Sequence, residues 1–228
     1  LLTPALSHLP QATLAATIFV ALASLIDLRA LGRVWRYSRS DGIAMAATIV
    51  VTLIEGVETG IATGVALSIG LHLARSSRPH YAVIGQVPGT EHFRNVRRHR
   101  VVLAPDVLSI RIDESLWFAN ARFLEDVIYD AVAADPEIRH LVLNCPAINA
   151  IDASALEALE AVNARLKDAG VCLHLSEVKG PVMDHLLHSG LLEALTGQVF
   201  LTQFDAMNAL APALTRETLA QPRCETAR

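Results

Sequence analysis

The side chains of this chain that could do chemistry are few. Asp152 stands just before a strongly patterned helical run, where a carboxylate accepts a backbone N–H of the first turn, and Ser154 lies two residues inside it. The free N–H groups and dipole of a helix start favour negative charge, a phosphate included. His185 and His188 sit three apart beside Asp184. They have the right types for a metal, but a third and fourth ligand are missing from the pattern, so we read an exposed helix face and expect no metal. Cys145, Cys172 and Cys224 show no CxxC spacing, and nothing marks a base beside Cys145. We read them as reduced packing thiols, the first two in buried strands, and not as nucleophiles. The chain has neither a GxGxxG fingerprint nor a phosphate-cradling Walker loop. No catalytic constellation emerges, so the expectation is a protein that is not an enzyme and needs no cofactor.

What must position these residues divides sharply in two. Residues 1–100 carry 10 Arg against 5 Asp+Glu, and residues 101–228 carry 9 Lys+Arg against 18 Asp+Glu. Mean hydropathy is +0.39. The acidic second half argues against nucleic acid as a partner. Residues 1–26 hold no Asp, Glu, Lys or Arg, and uncharged runs recur at residues 42–54 and 59–74. A full crossing needs about 20 apolar residues. The first run reaches that by recruiting residues before Pro10. The other two fall short and read as a hairpin of short or half-crossing helices. Arg29, Arg33, Arg36 and Arg39 lie before this hairpin, and Arg75 and Arg78 follow it. Both clusters thus fall on one side of a bilayer, the cytoplasmic side by the positive-inside rule. Glu55 and Glu58 mark the turn; Glu58, ionisable and close to lipid, is a functional candidate in an interfacial place. Gly56, Gly60, Gly64 and Ser68 form a stripe of small residues that lets another helix approach, in this chain or in a second copy. The absence of Met at position 1 suggests the C-terminal piece of a longer protein.

We therefore expect terminal transmembrane helices over residues 1–78 and a juxtamembrane connector over residues 79–100. HYAVIGQV in the connector is a candidate edge strand. Its Arg94, Arg97, Arg98 and Arg100 either attract anionic lipid or form an ordinary solvated segment. An α/β domain follows over residues 101–214, with a flexible tail over residues 215–228. VLSIRI (107–112) alternates like a half-buried strand, Leu116–Ala119 is a second apolar run, and residues 121–134 read as a helix stopped by Asp135-Pro136. HLVLNC (140–145) and VCLHLSEV (171–178) read as strands. The run 153–168 is the clearest helix, with Leu156, Leu159, Val162 and Leu166 on one stripe. A short helix follows at 181–188, then a strand at 199–202 and a helix from 205 to about 214. Strands alternating with helices predict a mainly parallel sheet covered by helices. Residues 79–228 should fold as a soluble unit, while residues 1–78 should need detergent.

The segment LVLNCPAINAIDASALEALEAVNARL, followed by HLSEVKGPVMDHLLHSG, closely resembles the STAS domain (sulfate transporter and anti-sigma-factor antagonist module) of SulP-type sulfate permeases. LPQATLAATIFVAL, GVETGIATGVALSIGLHLARSSRP and VPGTEHFRNV resemble the last spans and the linker of such a permease, in the family's order. The resemblance implies a secondary anion transporter, multi-pass in the inner or plasma membrane. It also implies a cytoplasmic STAS domain serving assembly and regulation, membrane lipid as surroundings, and a homodimer. The anion would be held between half-helix N-termini upstream of these residues, so no substrate-binding residue is expected here. In related anti-sigma-factor antagonists the motif Asp-Ser-Ser-Gly carries a phosphorylatable serine, and Ser154 matches it. Ala153 and Ala155 depart from the motif. Asp152 and Ser154 thus read first as a capped helix start and second as a phospho-switch. The alternative reading of the whole chain is a membrane-tethered STAS signalling module acting like such an antagonist.

Overall fold

The computed structural model describes residues 11–25 and 28–222, so Cys224 and the residues before Pro10 lie outside it. Two compact units divide the chain, Leu1–His72 and Leu73–Arg228. The first holds helices α1 (Gln11–Leu25), α2 (Leu28–Tyr37), α3 (Arg39–Glu55) and most of α4 (Val57–Ser76). Arg29, Arg33 and Arg36, expected only as a charged bracket, sit at helical spacing on α2. Gly42 is buried where the Trp35 ring comes so close that an added Cβ would meet Cε3 at 2.6 Å.

The run read at 59–74 as too short to cross is extended at both ends in α4. At 20 residues it is, among the described residues, the one helix long and apolar enough to span. Its rise of about 30 Å equals a hydrocarbon core. Only 6% of its apolar window is buried, and Val57, Ile61, Val65, Ile69 and Leu73 are all exposed. In α3, Arg39 and Asp41 occupy the first turn of a 17-residue helix, which leaves it short, as expected. Its Thr48 and Thr52 hydroxyls donate to Ala44 O (2.8 Å) and Thr48 O (2.7 Å), so neither presents a free donor to an apolar surrounding.

The second unit is an α/β domain. Its strands are β1 (Tyr81–Gln86), β2 (Phe93–Asn95), β3 (Val107–Ile112), β4 (His140–Asn144), β5 (Cys172–Ser176) and β6 (Val199–Phe200). They form one sheet in the order β2-β1-β3-β4-β5-β6. From β3 to β6 every pairing is parallel; β1 runs antiparallel to both neighbours. HYAVIGQV, expected at an edge, is therefore one strand in from it. The three residues of β2 take the edge, so the expected connector supplies two strands. The signal for β2 was too short and too basic to read.

Because the parallel strands advance in one direction, right-handed crossovers put their helices on one face. These are α5 (Phe118–Ala134), α6 (Ala153–Asp168) and α7 (Gly180–Leu187), followed by the single turn α8 (Leu191–Ala194). Ile110, Leu141, Leu143, Leu173 and Leu175 of the sheet meet Leu124, Ile128, Leu159, Val162 and Leu186 there, almost all without exposure. Each such side chain contributes about 1.5–3 kcal/mol on burial. The other face is covered by α9 (Gln203–Leu210) and α10 (Pro212–Ala220). The helix expected from 205 to about 214 thus breaks at Ala211. Residues 215–220 of the expected tail are helical, with Thr215 and Thr218 buried.

Within that second face a polar cluster is set among the apolar side chains of Val107, Val142, Ala206 and Met207. Gln203 Nε2 donates to Ser109 Oγ (2.9 Å), Ser176 Oγ donates to Gln203 Oε1 (2.7 Å), and Asn144 Nδ2 donates to Ser176 Oγ (3.1 Å). All four residues are buried. The alternation in VLSIRI therefore marks two buried faces of different chemistry, and β3 is a central strand instead of a half-exposed one. Buried polar groups persist when they are paired, and here each pairs with another.

Candidate functional site

The carboxyl ends of β3 and β4 lead into two loops that run together. Leu116 N–H donates to Ala150 O (3.0 Å), and Asp152 N–H donates to Leu116 O (3.2 Å), so the chain before α5 is zipped to the chain before α6. Two helix N-termini are thereby brought side by side. Asp152 serves both: Oδ1 accepts from Ala155 N–H (2.8 Å) in α6, and Oδ2 accepts from Phe118 N–H (2.8 Å) in α5. The sequence foresaw the first bond and missed the second. Each helix leaves unsatisfied N–H donors and a positive dipole end at its start, and a single carboxylate answers both.

The start of α5 comes three residues earlier than expected, because Asn120 holds it. Asn120 is fully buried. Its Oδ1 accepts from Trp117 N–H (3.0 Å), and its Nδ2 donates to Ser115 O (2.9 Å) and to Ser76 O (3.2 Å). Trp117 Nε1–H in turn donates to Ser76 Oγ (3.0 Å). Ser76, the last residue of α4, is buried and held by two side chains from the start of α5. The expected boundary after residue 78 cuts through this contact. A fragment beginning at Leu73 should accordingly be more stable than one beginning at Pro79 by about 1–2 kcal/mol, the cost of leaving a donor of buried Asn120 and the half-buried Trp117 donor unpaired. Denaturant midpoints of the two fragments measure the difference, and equal midpoints would refute the role given to Ser76.

Ser154 is exposed on the first turn of α6, beside the clamp but outside it. Phe118 is also exposed. Lys179, at the start of α7, donates to Asn149 Oδ1 (2.6 Å), and Asn149 N–H donates to Ser115 Oγ (3.2 Å), which ties a third loop to the same edge. Glu177 holds the turn after β5 with φ 56°, a left-handed conformation uncommon for a residue with a side chain.

The remaining expected residues lie elsewhere. Gly60 and Gly64 pack on Thr52 and Thr48 of α3, so this part of the stripe meets a helix of the same chain. An added Cβ on Gly64 would come within 2.8 Å of Thr48 Oγ1. Gly56 is no part of that face: it caps α3 with φ 98°, and its added Cβ would touch nothing. Ser68 is exposed. Glu58 is exposed in the first turn of α4. Cys145 lies one residue past β4, is buried, and has its thiol pushed up to about 12 by that burial, which keeps it protonated and inert. Cys172 is half-buried at the start of β5. His185 and His188 are exposed, and among the described residues no group of three or more His, Cys, Asp or Glu comes together as a metal site.

One pair went unnoticed in the sequence. His140 and His174 occupy neighbouring strands β4 and β5, with Nδ1 of His140 3.1 Å from Nε2 of His174. Gln198 N–H donates to His174 Nδ1 (3.0 Å), so the ring proton of His174 sits on Nε2 and is donated to His140. His174 is buried, and its pKa falls to about 4, first through loss of solvent and second through repulsion by His140.

Comparison with known proteins agrees on both units. The family described as "STAS domain" matches residues 99–206, and the family described as "Sulfate permease family" matches residues 1–48. High affinity sulfate transporter 2 of Stylosanthes hamata is 30% identical over 92% of this chain and 34% of its own length. Sulfate transporter 1.2 of Arabidopsis thaliana is 30% identical over 95% of this chain and 35% of its own length. Among solved structures, the murine Solute Carrier 26 family member A9 anion transporter in the inward-facing state superposes with a TM-score of 0.79 at 22% identity. That superposition covers 89% of this chain and 34% of that one, and shows a shared fold. The chain spans about a third of the length of the curated relatives it matches.

Proposed function

We propose that the chain belongs to the sulfate permease family, carries its STAS domain and forms the C-terminal part of a secondary anion transporter of sulfate type. The observation that carries this reading is continuity. An exposed apolar helix of spanning length, α4, runs directly into a STAS fold, and relatives named as sulfate transporters match across both parts. Those relatives are transporters, which supports a role that is not enzymatic.

In this reading α4 lies in lipid within a multi-pass arrangement of the inner or plasma membrane. Basic residues of α2 and the Arg75–Arg78 segment face one aqueous side, the cytoplasm, by the positive-inside rule. The STAS domain then serves assembly and regulation, and a homodimer follows from the family resemblance. The glycine stripe does not support that dimer, since Gly60 and Gly64 are engaged within the chain. We assign Asp152 a structural role at the joined helix starts and keep modification at Ser154 second, as a serine exposed beside them. The tethered signalling module gains no support: Ala153 and Ala155 break the motif, and the curated relatives reported above are transporters.

The test is uptake. Proteoliposomes holding the complete reading frame that contains this chain should accumulate labelled sulfate above empty vesicles, and deletion of residues 99–206 should lower that uptake several-fold. Uptake no better than in empty vesicles, for sulfate and for other small anions, would overturn the reading.

A further inference from the structure

Beside the hairpin β1–β2 lies a cleft of about 320 Å³ lined by His80, Arg94, Arg98, His99, Arg111 and Asp113. Three guanidinium groups face one carboxylate, a fixed excess of two positive charges before the histidines are counted. That carboxylate is already engaged. Arg111 grips both oxygens of Asp113, Nε donating to Oδ1 (2.6 Å) and Nη2 to Oδ2 (3.2 Å), and His80 Nδ1 lies 2.7 Å from that same Oδ2. Among the described residues no carboxylate pairs with Arg94 or Arg98; Arg94 Nη1 reaches only Phe93 O (3.2 Å). The backbone that carries Arg98 and His99 is also held in place. Asn95 Oδ1 accepts from Arg97 N–H (2.8 Å), and Asn95 O accepts from the N–H of Arg98 and of His99 (both 3.0 Å), a tight turn that carries Arg98 and His99 to the cleft.

We propose that this cleft binds a phosphoryl group, carried on a lipid head or free as inorganic phosphate. Guanidinium forks match the oxygens of a tetrahedral oxyanion, and unpaired arginines converging on a concavity are the arrangement that recognises one. The cleft's place in the chain favours the lipid. His80 follows Ser76, the end of α4, by four residues, a reach of at most about 14 Å. If α4 spans, as proposed above, that distance keeps the cleft near the headgroup layer. The phosphoryl chemistry itself does not depend on transport.

The test uses the full chain purified in detergent, with native mass spectrometry against phosphatidylglycerol or phosphatidylcholine and calorimetric titration with inorganic phosphate. The wild type should retain phosphatidylglycerol in preference, and R94Q/R98Q should lose about tenfold or more of that preference at low salt. R94K/R98K, which keeps the charge, should retain part of it, and R122Q/R216Q, away from the cleft, should behave as wild type. Phosphatidylglycerol retention without phosphate binding assigns the lipid head; phosphate binding abolished by R94Q/R98Q assigns the free anion. A wild type that binds neither, or R94Q/R98Q that binds as well as wild type, would overturn the site.

Discussion

Replacing Asp152 by Ala should lower the stability of the α/β unit by about 3 kcal/mol, more than loss of an ordinary helix cap. A single cap contributes about 1 kcal/mol, and a hydrogen bond to a charged acceptor about 1.5–3 kcal/mol. Asp152 makes two such bonds, to Ala155 N–H and Phe118 N–H, at the starts of two different helices. For a unit of this size the melting temperature should drop by roughly 6–12 °C. The series Ala, Ser, Asn separates the two arms. Ser caps α6 with its hydroxyl but has no second oxygen for Phe118, so it should recover about half of the loss. Asn keeps one acceptor and forfeits the charge that both helix dipoles favour, so it should fall between Ser and wild type. Were Asp152→Ser as stable as wild type, the bond to Phe118 would carry nothing and the double clamp would be wrong. Ser154 gives an independent check. Ser154→Glu places negative charge on the first turn of α6, so it should be neutral or stabilising by a few tenths of a kcal/mol.

Local rules made much of this legible before any coordinates. The stripe from Leu156 to Leu166 announced α6, Asp152 announced its cap, and alternating strand and helix patterns announced a parallel sheet. What failed to show depends on partners distant in sequence. The run Leu116–Ala119 looks apolar and featureless; it becomes a helix start only because buried Asn120 satisfies Trp117 and reaches back to Ser76, 44 residues away. Ser109 reads as a solvent-facing position of a half-buried strand, yet it is buried together with Ser176, since Gln203 arrives from 94 and from 27 residues on to pair with them. Gly56 illustrates the converse. Its regular spacing with Gly60 and Gly64 suggested a shared packing face, but position 56 must turn the chain at φ 98°, which only glycine does without strain. Spacing alone cannot distinguish a packing glycine from a turning one.

Acid should weaken the α/β unit through His174 over a definable window. In the unfolded chain a histidine titrates near 6.5, whereas His174 in the folded unit resists protonation down to about 4. Its neutral form therefore contributes full stability above about pH 6.5. As pH falls from there towards 4 the unfolded chain binds a proton that the folded unit refuses, and up to about 3 kcal/mol is lost. The geometry gives the reason for the refusal. Nδ1 of His174 must stay bare to accept Gln198 N–H, and Nε2–H is committed to His140, so an added proton would oppose one donor to another. Nor can the ring turn away. Gly197 lies so close that even an added Cβ would meet His174 Nδ1 at 2.5 Å, and the tilted ring of Phe200 has its centroid 5.7 Å from that of His174. His174→Gln keeps a polar side chain but cannot titrate. Carboxylates respond to acid equally in both proteins, so the difference between the two in stability lost from pH 7 to pH 4.5 isolates the histidine. Denaturant midpoints should show the wild type losing about 2–3 kcal/mol more than the variant over that range. Parallel losses would mean that His174 accepts its proton without leaving Gln198, and that the strand pair β4–β5 tolerates charge where the hydrogen bonds forbid it.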